Sequence, residues 1–182
     1  MDTIESRNTG AVRITKVSLY PIRTPRRSGD SSQHVLIRLD TDAGVVGVGE
    51  YADITDLPLT MPDLDDLQKS LSNVLSGQNA MELARIDHML SLLFIGRGDT
   101  GIYTGSLRAG IEMALHDIAG KALGVPVCVL FGGPVRARIK VCFPLFRNLS
   151  EAHVERNLQI VEELRTEGFD NFRVYVGGGA EF

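Results

Sequence analysis

The stretch GSLRAGIEMALHDIAGKALGVPVCVLFGGPVRARIKV, residues 105–141, contains the point where the character of the chain changes. Its first part predicts an amphipathic helix that ends before Gly124 and Pro126. The apolar residues that repeat with helical spacing are Leu107, Ile111, Leu115, Ile118 and Ala122. After the turn GGP (132–134), the run IKVCFPLF (139–146) predicts a strand that is buried on both faces. Two differently built regions therefore meet near residue 135.

The region before this boundary predicts an α+β unit of about 130 residues. HVLIRLDTDAGVVGVGEY (34–51) reads as a hairpin with Gly44 at positive φ, and 12–22 supplies a third antiparallel strand. Two more amphipathic helices are predicted over 63–77 and 79–94, the second capped by Asn79. The segment RTPRRSGDSSQ (23–33) is interpreted as a mobile loop.

The region after the boundary predicts a strand, a helix and a second strand. Asn148 or Ser150 can cap the helix at 150–168, and its predicted apolar face comprises Val154, Leu158, Val161 and Leu164. The run FDNFRVYVGG (169–178) is the next strand, so the three elements form a parallel, right-handed βαβ unit. A (β/α)8 barrel takes roughly 250 residues, so we expect a barrel or open sheet interrupted after its second strand.

Composition indicates a globular protein and excludes several classes of partner. The 182 residues are 43% hydrophobic and 23% charged, with a net charge of −4, which argues against nucleic acid and against a membrane surface. The first ten residues do not resemble a secretion signal. Cys128 and Cys142 are interpreted as buried free thiols, so a cytoplasmic location is expected.

Most of the short motifs are better explained by structure than by chemistry. GVVGVGE (44–50) lies in a hairpin without a following helix, so it is not a dinucleotide fingerprint. His88 is expected on the surface of a helix. His116 and Asp117 are adjacent in the sequence, and both are expected to take part in helix packing. The sequence contains no HExxH or Walker motif.

Arg173 and Tyr175 are the candidate catalytic residues. Residues two apart on a strand share a face, and both lie near the carboxyl end of the second parallel strand, where barrel active sites are built. A guanidinium beside a phenol favours the phenolate, which makes Tyr175 a plausible general base. The alternative is that both side chains fill a barrel interior.

The 105–141 stretch resembles the signature that joins the two domains of the enolase superfamily, in its mandelate racemase/muconate lactonizing enzyme branch. The matching residues are Ala114, Leu115, Asp117, Gly120, Lys121, Gly124, Pro126, Leu130, Gly132 and Gly133. The hairpin ending in GVGE resembles the same family. The resemblance implies an α+β capping domain (1–135) followed by the start of a (β/α)8 barrel (136–182, incomplete).

The resemblance also implies abstraction of the proton α to a carboxylate, with Mg²⁺ stabilising the enediolate through ligands beyond the end of this chain. Arg173 and Tyr175 replace the two lysines of the family's K-x-K motif. This departure favours a dehydratase acting on an acid sugar. A muconate-type cycloisomerase or a racemase stays open, as does a non-catalytic capping domain serving as an interaction module.

The capping-domain loops supply the candidate contacts to a small carboxylate substrate. By position these are Tyr20, Arg23, Arg26 and Tyr51, with Arg27 as a further loop cation. A homo-oligomer is expected, and the 182-residue chain alone is expected to be inactive.

Overall fold

Apart from one short helix at Val127–Leu130, the strands and helices follow the order that the sequence predicts. The computed structural model describes residues 10–27, 31–51, 63–93, 102–145 and 150–175, with side chains of the 102–123 helix described from residue 105 onward. The elements in chain order are β1 (Ile14–Pro25), β2 (Ser31–Thr41), β3 (Val46–Tyr51), α1 (Leu64–Leu75), α2 (Leu83–Leu93), α3 (Ile102–Leu123), α4 (Val127–Leu130), β4 (Phe143–Leu145), α5 (Glu151–Thr166) and β5 (Phe172–Val174).

These elements divide into two compact units. The first contains the chain up to Arg23 together with Ser32–Gly133, and the second contains Thr24–Ser31 together with the chain from Pro134 onward. The chain passes from the first unit to the second between Gly133 and Pro134. The tip of the β1–β2 hairpin, however, belongs to the second unit.

The first unit contains the predicted three-stranded antiparallel sheet, in the order β1-β2-β3. The β2–β3 register pairs Val35 with Tyr51 and Asp40 with Val46, and Gly44 has φ 72° in the connecting turn. One face of the sheet carries Val35, Ile37 and Leu39 into the core. The hairpin prediction is confirmed.

The predicted loop at 23–33 is wrong over most of its described residues. β1 continues to Pro25 and β2 begins at Ser31, so only Arg26 and Arg27 lie outside strands within the described part, while 28–30 fall outside it. A strand needs a partner for its backbone groups but does not require apolar side chains. Because this segment is polar, its sequence did not indicate that both strands of the hairpin continue into it.

Helices α1, α2 and α3 supply the rest of the core. Asp63 caps α1 by accepting hydrogen bonds from the amides of Asp65 and Asp66. Asn79 does not cap α2, which begins four residues later; its Oδ1 accepts instead from the amides of Met81 and Val12. Fully buried helix residues include Leu71, Leu75, Ile86, Leu90, Ile111, Leu115 and Ile118. No helix in the described part is long and apolar enough to cross a membrane.

Glycines allow α3 to lie directly on β3. A Cβ built on Gly47 would overlap the carbonyl oxygen of Ala114, and one built on Gly49 would overlap that of Gly110. A Cβ on Gly110 would in turn lie 2.7 Å from the carbonyl oxygen of Glu50. The closely spaced glycines of the hairpin thus serve close helix–strand packing rather than phosphate binding.

Strand β3 lies at one edge of the sheet, and Asp117 and Lys121 of α3 form hydrogen bonds with its backbone groups. The Val48 amide donates to Asp117 Oδ2 at 3.0 Å, and Lys121 Nζ donates to the Val46 carbonyl at 2.7 Å. Lys121 Nζ also lies 2.6 Å from Asp117 Oδ2. An open strand edge invites pairing with another chain. This Asp117–Lys121 clamp covers the edge.

Replacing Lys121 by Met should destabilise the first unit. The Val46 carbonyl would lose its donor and Asp117 its cation. Because the Lys121 side chain is 50% exposed, water can replace part of these contacts, and the expected loss is about 0.5–1.5 kcal/mol. Urea unfolding followed by circular dichroism measures this loss. Lys69→Met is the matched control, because Lys69 is paired with an exposed carboxylate, Asp66, at 3.1 Å, and its replacement should cost at most about 0.5 kcal/mol. Equal midpoints for the two variants would contradict the role of the clamp.

The second unit contains a parallel βαβ arrangement. β4 pairs with β5 in parallel, Phe143 opposite Phe172 and Leu145 opposite Val174. Ser150 is the residue that caps α5, because its Oγ accepts from the His153 amide. Leu145, Ile160 and Leu164 form the small core beneath the two strands. The βαβ prediction is confirmed.

Two details of this unit differ from the predictions. The strand predicted over 139–146 shortens to Phe143–Leu145, and Ile139 is 80% exposed, because the only strand paired with β4 among the described residues is the three-residue β5. The buried face of α5 carries Asn157, Ile160 and Leu164, so predicted face members Val154 and Leu158 are exposed. Strand β4 offers too little surface to cover both apolar stripes of the helix.

The two cysteines are free, as predicted, but not buried. Cys128 lies in α4, none of whose residues is buried, and Cys142 immediately precedes β4. Both thiols belong to the apolar stretch 127–142, most of which is exposed.

Candidate functional site

Arg173 and Tyr175 contact each other at the end of β5. An Nη2 hydrogen of Arg173 is donated to the Tyr175 hydroxyl oxygen. The guanidinium carbon also lies 4.7 Å from the centroid of the Tyr175 ring. The guanidinium therefore contacts both the hydroxyl oxygen and the π face of the Tyr175 ring.

The strand geometry explains why these two side chains meet. Phe172 packs with the small core beneath α5, so alternation places Arg173 and Tyr175 on the opposite face. The Tyr175 amide donates to the Leu145 carbonyl at 3.3 Å, which extends the parallel ladder past β5. Val174, which alternation places on the same face as Phe172, is 54% exposed.

Arg26 lies in the second unit, beside a cavity of about 340 Å³. The described residues that line this cavity are Arg26, Arg27, Phe143, Pro144, Leu145, Asn157 and Ile160. Most of its surface is apolar, and the polar residues in its lining are Arg26, Arg27 and the buried Asn157. An apolar cavity with a few polar groups is the usual form of a small-molecule site. Neither Arg173 nor Tyr175 is among the described lining residues.

Arg27 is held by α5. Its Nη1 and Nη2 donate to Oε1 and Oε2 of Glu167 at 2.9 and 3.0 Å, a bidentate pair. The Glu167 carboxylate, through these hydrogen bonds and its charge, raises the pKa of the Arg27 guanidinium above its ordinary value. Arg156 Nη2 donates to the Arg27 carbonyl at 3.1 Å. Arg27 is therefore part of the packing of the hairpin tip.

The remaining candidate substrate contacts lie in the first unit or at its end. Tyr20 and Arg23 are exposed on β1, and Tyr20 is 48% exposed. Tyr51 is only 3% exposed and belongs to the hydrophobic core of the first unit. That burial favours a packing role for the Tyr51 side chain.

Two further motifs have structural roles, as the sequence predicts. His116 Nδ1 lies 3.0 Å from the Glu112 carbonyl oxygen, and its ring stacks on Phe131 with centroids 4.7 Å apart. Asp117 belongs to the clamp on β3. His88 is exposed on α2.

The described residues do not fit a divalent metal site. Among them, no group of three or more His, Cys, Asp or Glu side chains could hold a metal ion. Mg²⁺ prefers several oxygen ligands in near-octahedral geometry. No catalytic step is therefore assigned to a metal through residues of this chain.

Sequence reasoning missed Glu167 and Arg156 as partners of the hairpin tip. Both look like ordinary solvent-facing charges on an amphipathic helix, and the contact bridges residues 140 positions apart. The close packing of α3 on β3 could have been inferred from the sequence, since Gly47 and Gly49 lie on one face of a strand.

Comparison with known proteins places these features in a family. Residues 8–132 match the family model of the mandelate racemase/muconate lactonizing enzyme N-terminal domain. An N-succinyl-L-Arg/Lys racemase from Bacillus cereus is 30% identical over 179 residues, covering 91% of this chain and 45% of the relative. A D-galactonate dehydratase from Pectobacterium atrosepticum is 32% identical over 168 residues, covering 90% of this chain and 38% of the relative.

Solved structures agree with the sequence comparison. The crystal structure of muconate cycloisomerase from Pseudomonas fluorescens superimposes with a TM-score of 0.72 at 25% identity, covering 93% of this chain and 45% of that protein. The chain thus spans less than half the length of these relatives. The matched family model covers more than half of the chain. The chain therefore belongs to the mandelate racemase/muconate lactonizing enzyme branch of the enolase superfamily.

Proposed function

We propose that this chain is the N-terminal part of an enzyme that removes the proton α to a carboxylate, and that the reaction is the dehydration of an acid sugar. The observation that carries the proposal is the Arg173–Tyr175 contact on β5, at the positions of the family's K-x-K motif. Relatives named D-xylonate dehydratase and D-galactonate dehydratase, 34% and 32% identical, support the acid-sugar class.

In this proposal Tyr175 acts as the general base. As the phenolate it takes the α proton of the substrate, and the electron pair of the broken C–H bond moves into the carboxylate to give an enediolate. Collapse of the enediolate breaks the bond between the β carbon and its hydroxyl oxygen, which leaves as water after taking a proton from the Tyr175 phenol or from solvent. The resulting enol becomes a 2-keto-3-deoxy acid. Arg173 holds the phenolate and is not itself a base, because a guanidinium stays protonated.

The substrate carboxylate and hydroxyls are assigned to the hairpin. By their positions on and just after β1, Tyr20, Arg23 and Arg26 are the proposed contacts. Mg²⁺, when bound by carboxylates outside this sequence, would stabilise the negative charge on the enediolate. The partners proposed are a small carboxylate and, as a homo-oligomer, further copies of the protein.

The test is an assay of the protein in which this chain is followed by the remaining barrel strands. D-galactonate, D-xylonate, a chloromuconate and N-succinyl-L-arginine are each supplied with Mg²⁺, and products are followed by NMR. Loss of water from an aldonate is expected. Inversion of the succinylated amino acid without dehydration of either aldonate would favour the racemase reading, which the Bacillus cereus relative represents. The 182-residue chain alone, run in parallel, should show no turnover.

A further inference from the structure

The cavity of about 340 Å³ in the second unit lies between β4, α5 and the residues that follow β1. Phe143, Leu145 and Ile160 line it, and all three take part in the small hydrophobic core of this unit. Because side chains alternate along a strand, the cavity is on the α5 side of β4, whereas Arg173 and Tyr175 are on the opposite side of the two-stranded sheet. A molecule in this cavity would not contact the proposed catalytic pair.

The lining combines apolar side chains with side chains that donate hydrogen bonds. Its polar residues are Arg26, Arg27 and the buried Asn157, and the described lining contains no acidic residue. A guanidinium presents five N–H donors in a planar fork that fits a carboxylate. The lining is therefore complementary to a molecule with one carboxylate and an apolar remainder.

Arg26 is the lining residue assigned to the carboxylate. The Arg27 guanidinium belongs to the scaffold, because two of its nitrogens donate to Glu167 at 2.9 and 3.0 Å. The number of donors on Arg26 allows a ligand carboxylate to be added to its other contacts. Since Arg26 follows β1 and Ile160 belongs to α5, a molecule that contacts both would join the hairpin tip to the helix.

We propose that this cavity binds a small carboxylate with an apolar chain, and that the bound molecule holds the hairpin tip on α5. The site itself does not rest on the proposed function. Arg26 cannot line this cavity and meet a substrate on the opposite side of the sheet at the same time. The bound molecule is therefore assigned the role of an effector rather than that of a substrate, and this role does rest on the proposed function.

Titration of the 182-residue chain with hexanoate, followed by NMR of its amide groups, tests the site without any assay of activity. Saturable binding with a Kd of about 1 mM is expected for a ligand of this size. Acetate lacks the apolar chain and hexanamide lacks the charge, so each should bind about tenfold more weakly or worse. Equal affinities for hexanoate and hexanamide would contradict the role of the guanidinium.

Variants locate the binding in the cavity. Arg26→Gln should weaken hexanoate binding by about fivefold or more, because a charge-assisted hydrogen bond is lost. Ile160→Phe should abolish binding by filling the cavity, with circular dichroism as the check on its fold. Arg165→Gln, the same change as the first at an exposed α5 position outside the described lining, is the control and should keep the wild-type Kd. Equal Kd values for Arg26→Gln and Arg165→Gln would overturn the proposal.

Hydrogen–deuterium exchange tests whether the ligand holds the tip. Hexanoate at about ten times its Kd should slow exchange in the peptide 20–27 by about tenfold, because it binds only the form in which the tip contacts α5. The α1 peptide 64–75 should not change. Unchanged exchange of the tip peptide at saturation, or equal slowing of both peptides, would contradict this part of the proposal.

The longer protein tests the effector role. It should bind hexanoate with a Kd within about threefold of that of the 182-residue chain, and absence of binding there would overturn the site. Hexanoate at about ten times its Kd should raise the KM for an aldonate by about threefold or more, with kcat within about twofold. An unchanged KM despite binding would contradict the effector role, whereas binding without any dehydration of aldonates would count against the proposed function alone.

Discussion

Replacing Tyr175 by Phe is expected to lower kcat for acid-sugar dehydration by about 100-fold or more, the usual scale for a lost general base. The change removes one oxygen, and that oxygen accepts the hydrogen bond from Arg173. The Tyr175 side chain is 42% exposed, so the melting temperature should barely move. Steady-state kinetics of the longer protein, with the melting temperature of each variant, measure both effects.

Neighbouring variants separate catalysis from packing at this strand. Val174→Thr changes the adjacent exposed residue isosterically and should keep turnover within about twofold of the wild-type value. Arg173→Met keeps the length of the side chain but removes the cation, so it should lower kcat while the phenol is retained. Near-normal turnover in Tyr175→Phe would mean that another group takes the proton and that Tyr175 is a packing residue.

Replacing Gly49 by Ala is expected to unfold the first unit or to destabilise it by about 3 kcal/mol or more. The added methyl group would overlap the Gly110 carbonyl oxygen and meet the Ala114 amide at 3.0 Å, both of them backbone atoms of α3 that cannot rotate away. Overpacking usually costs about 1–3 kcal/mol, and a clash between two backbones lies at the upper end of that range. Urea unfolding followed by circular dichroism gives the free energy of unfolding.

Gly105→Ala is the matched control on α3. A Cβ at Gly105 meets no atom of the described residues within 4 Å, so the expected effect is a gain of about 0.5–1 kcal/mol from the higher helix propensity of alanine. A Gly49→Ala variant with a wild-type unfolding midpoint would show that α3 does not need the bare backbone of β3.

The first unit was largely predictable because its signals are local and repeated. Leu67, Leu71 and Leu75 recur at helical spacing and are all buried in α1. Val35, Ile37 and Leu39 alternate and all face the core. The β1–β2 hairpin was missed at its polar end, where backbone pairing extends the strands although Arg23 and Gln33 provide no apolar pattern.

The second unit was less predictable because its contacts depend on what lies beside each element. The apolar run from Ile139 predicts a long buried strand, but within the described residues β4 pairs with β5 over Phe143–Leu145 alone. Two apolar stripes run along α5, and the sequence alone could not determine that the one with Ile160 and Leu164 is buried. The i,i+2 argument for Arg173 and Tyr175 needed only strand geometry, and the structure brings the two side chains into contact.

Exchange of the substrate's α proton in D₂O tests the central claim most directly. A 3-deoxy aldonate has no β-hydroxyl to lose, so the enzyme can only remove the α proton and return a deuteron. With the longer protein and Mg²⁺, we predict that the ¹H NMR signal of the α proton disappears, and that it persists with Tyr175→Phe. Persistence of the signal with a wild-type enzyme that dehydrates the parent aldonate, or equal exchange by both proteins, would contradict proton abstraction by Tyr175.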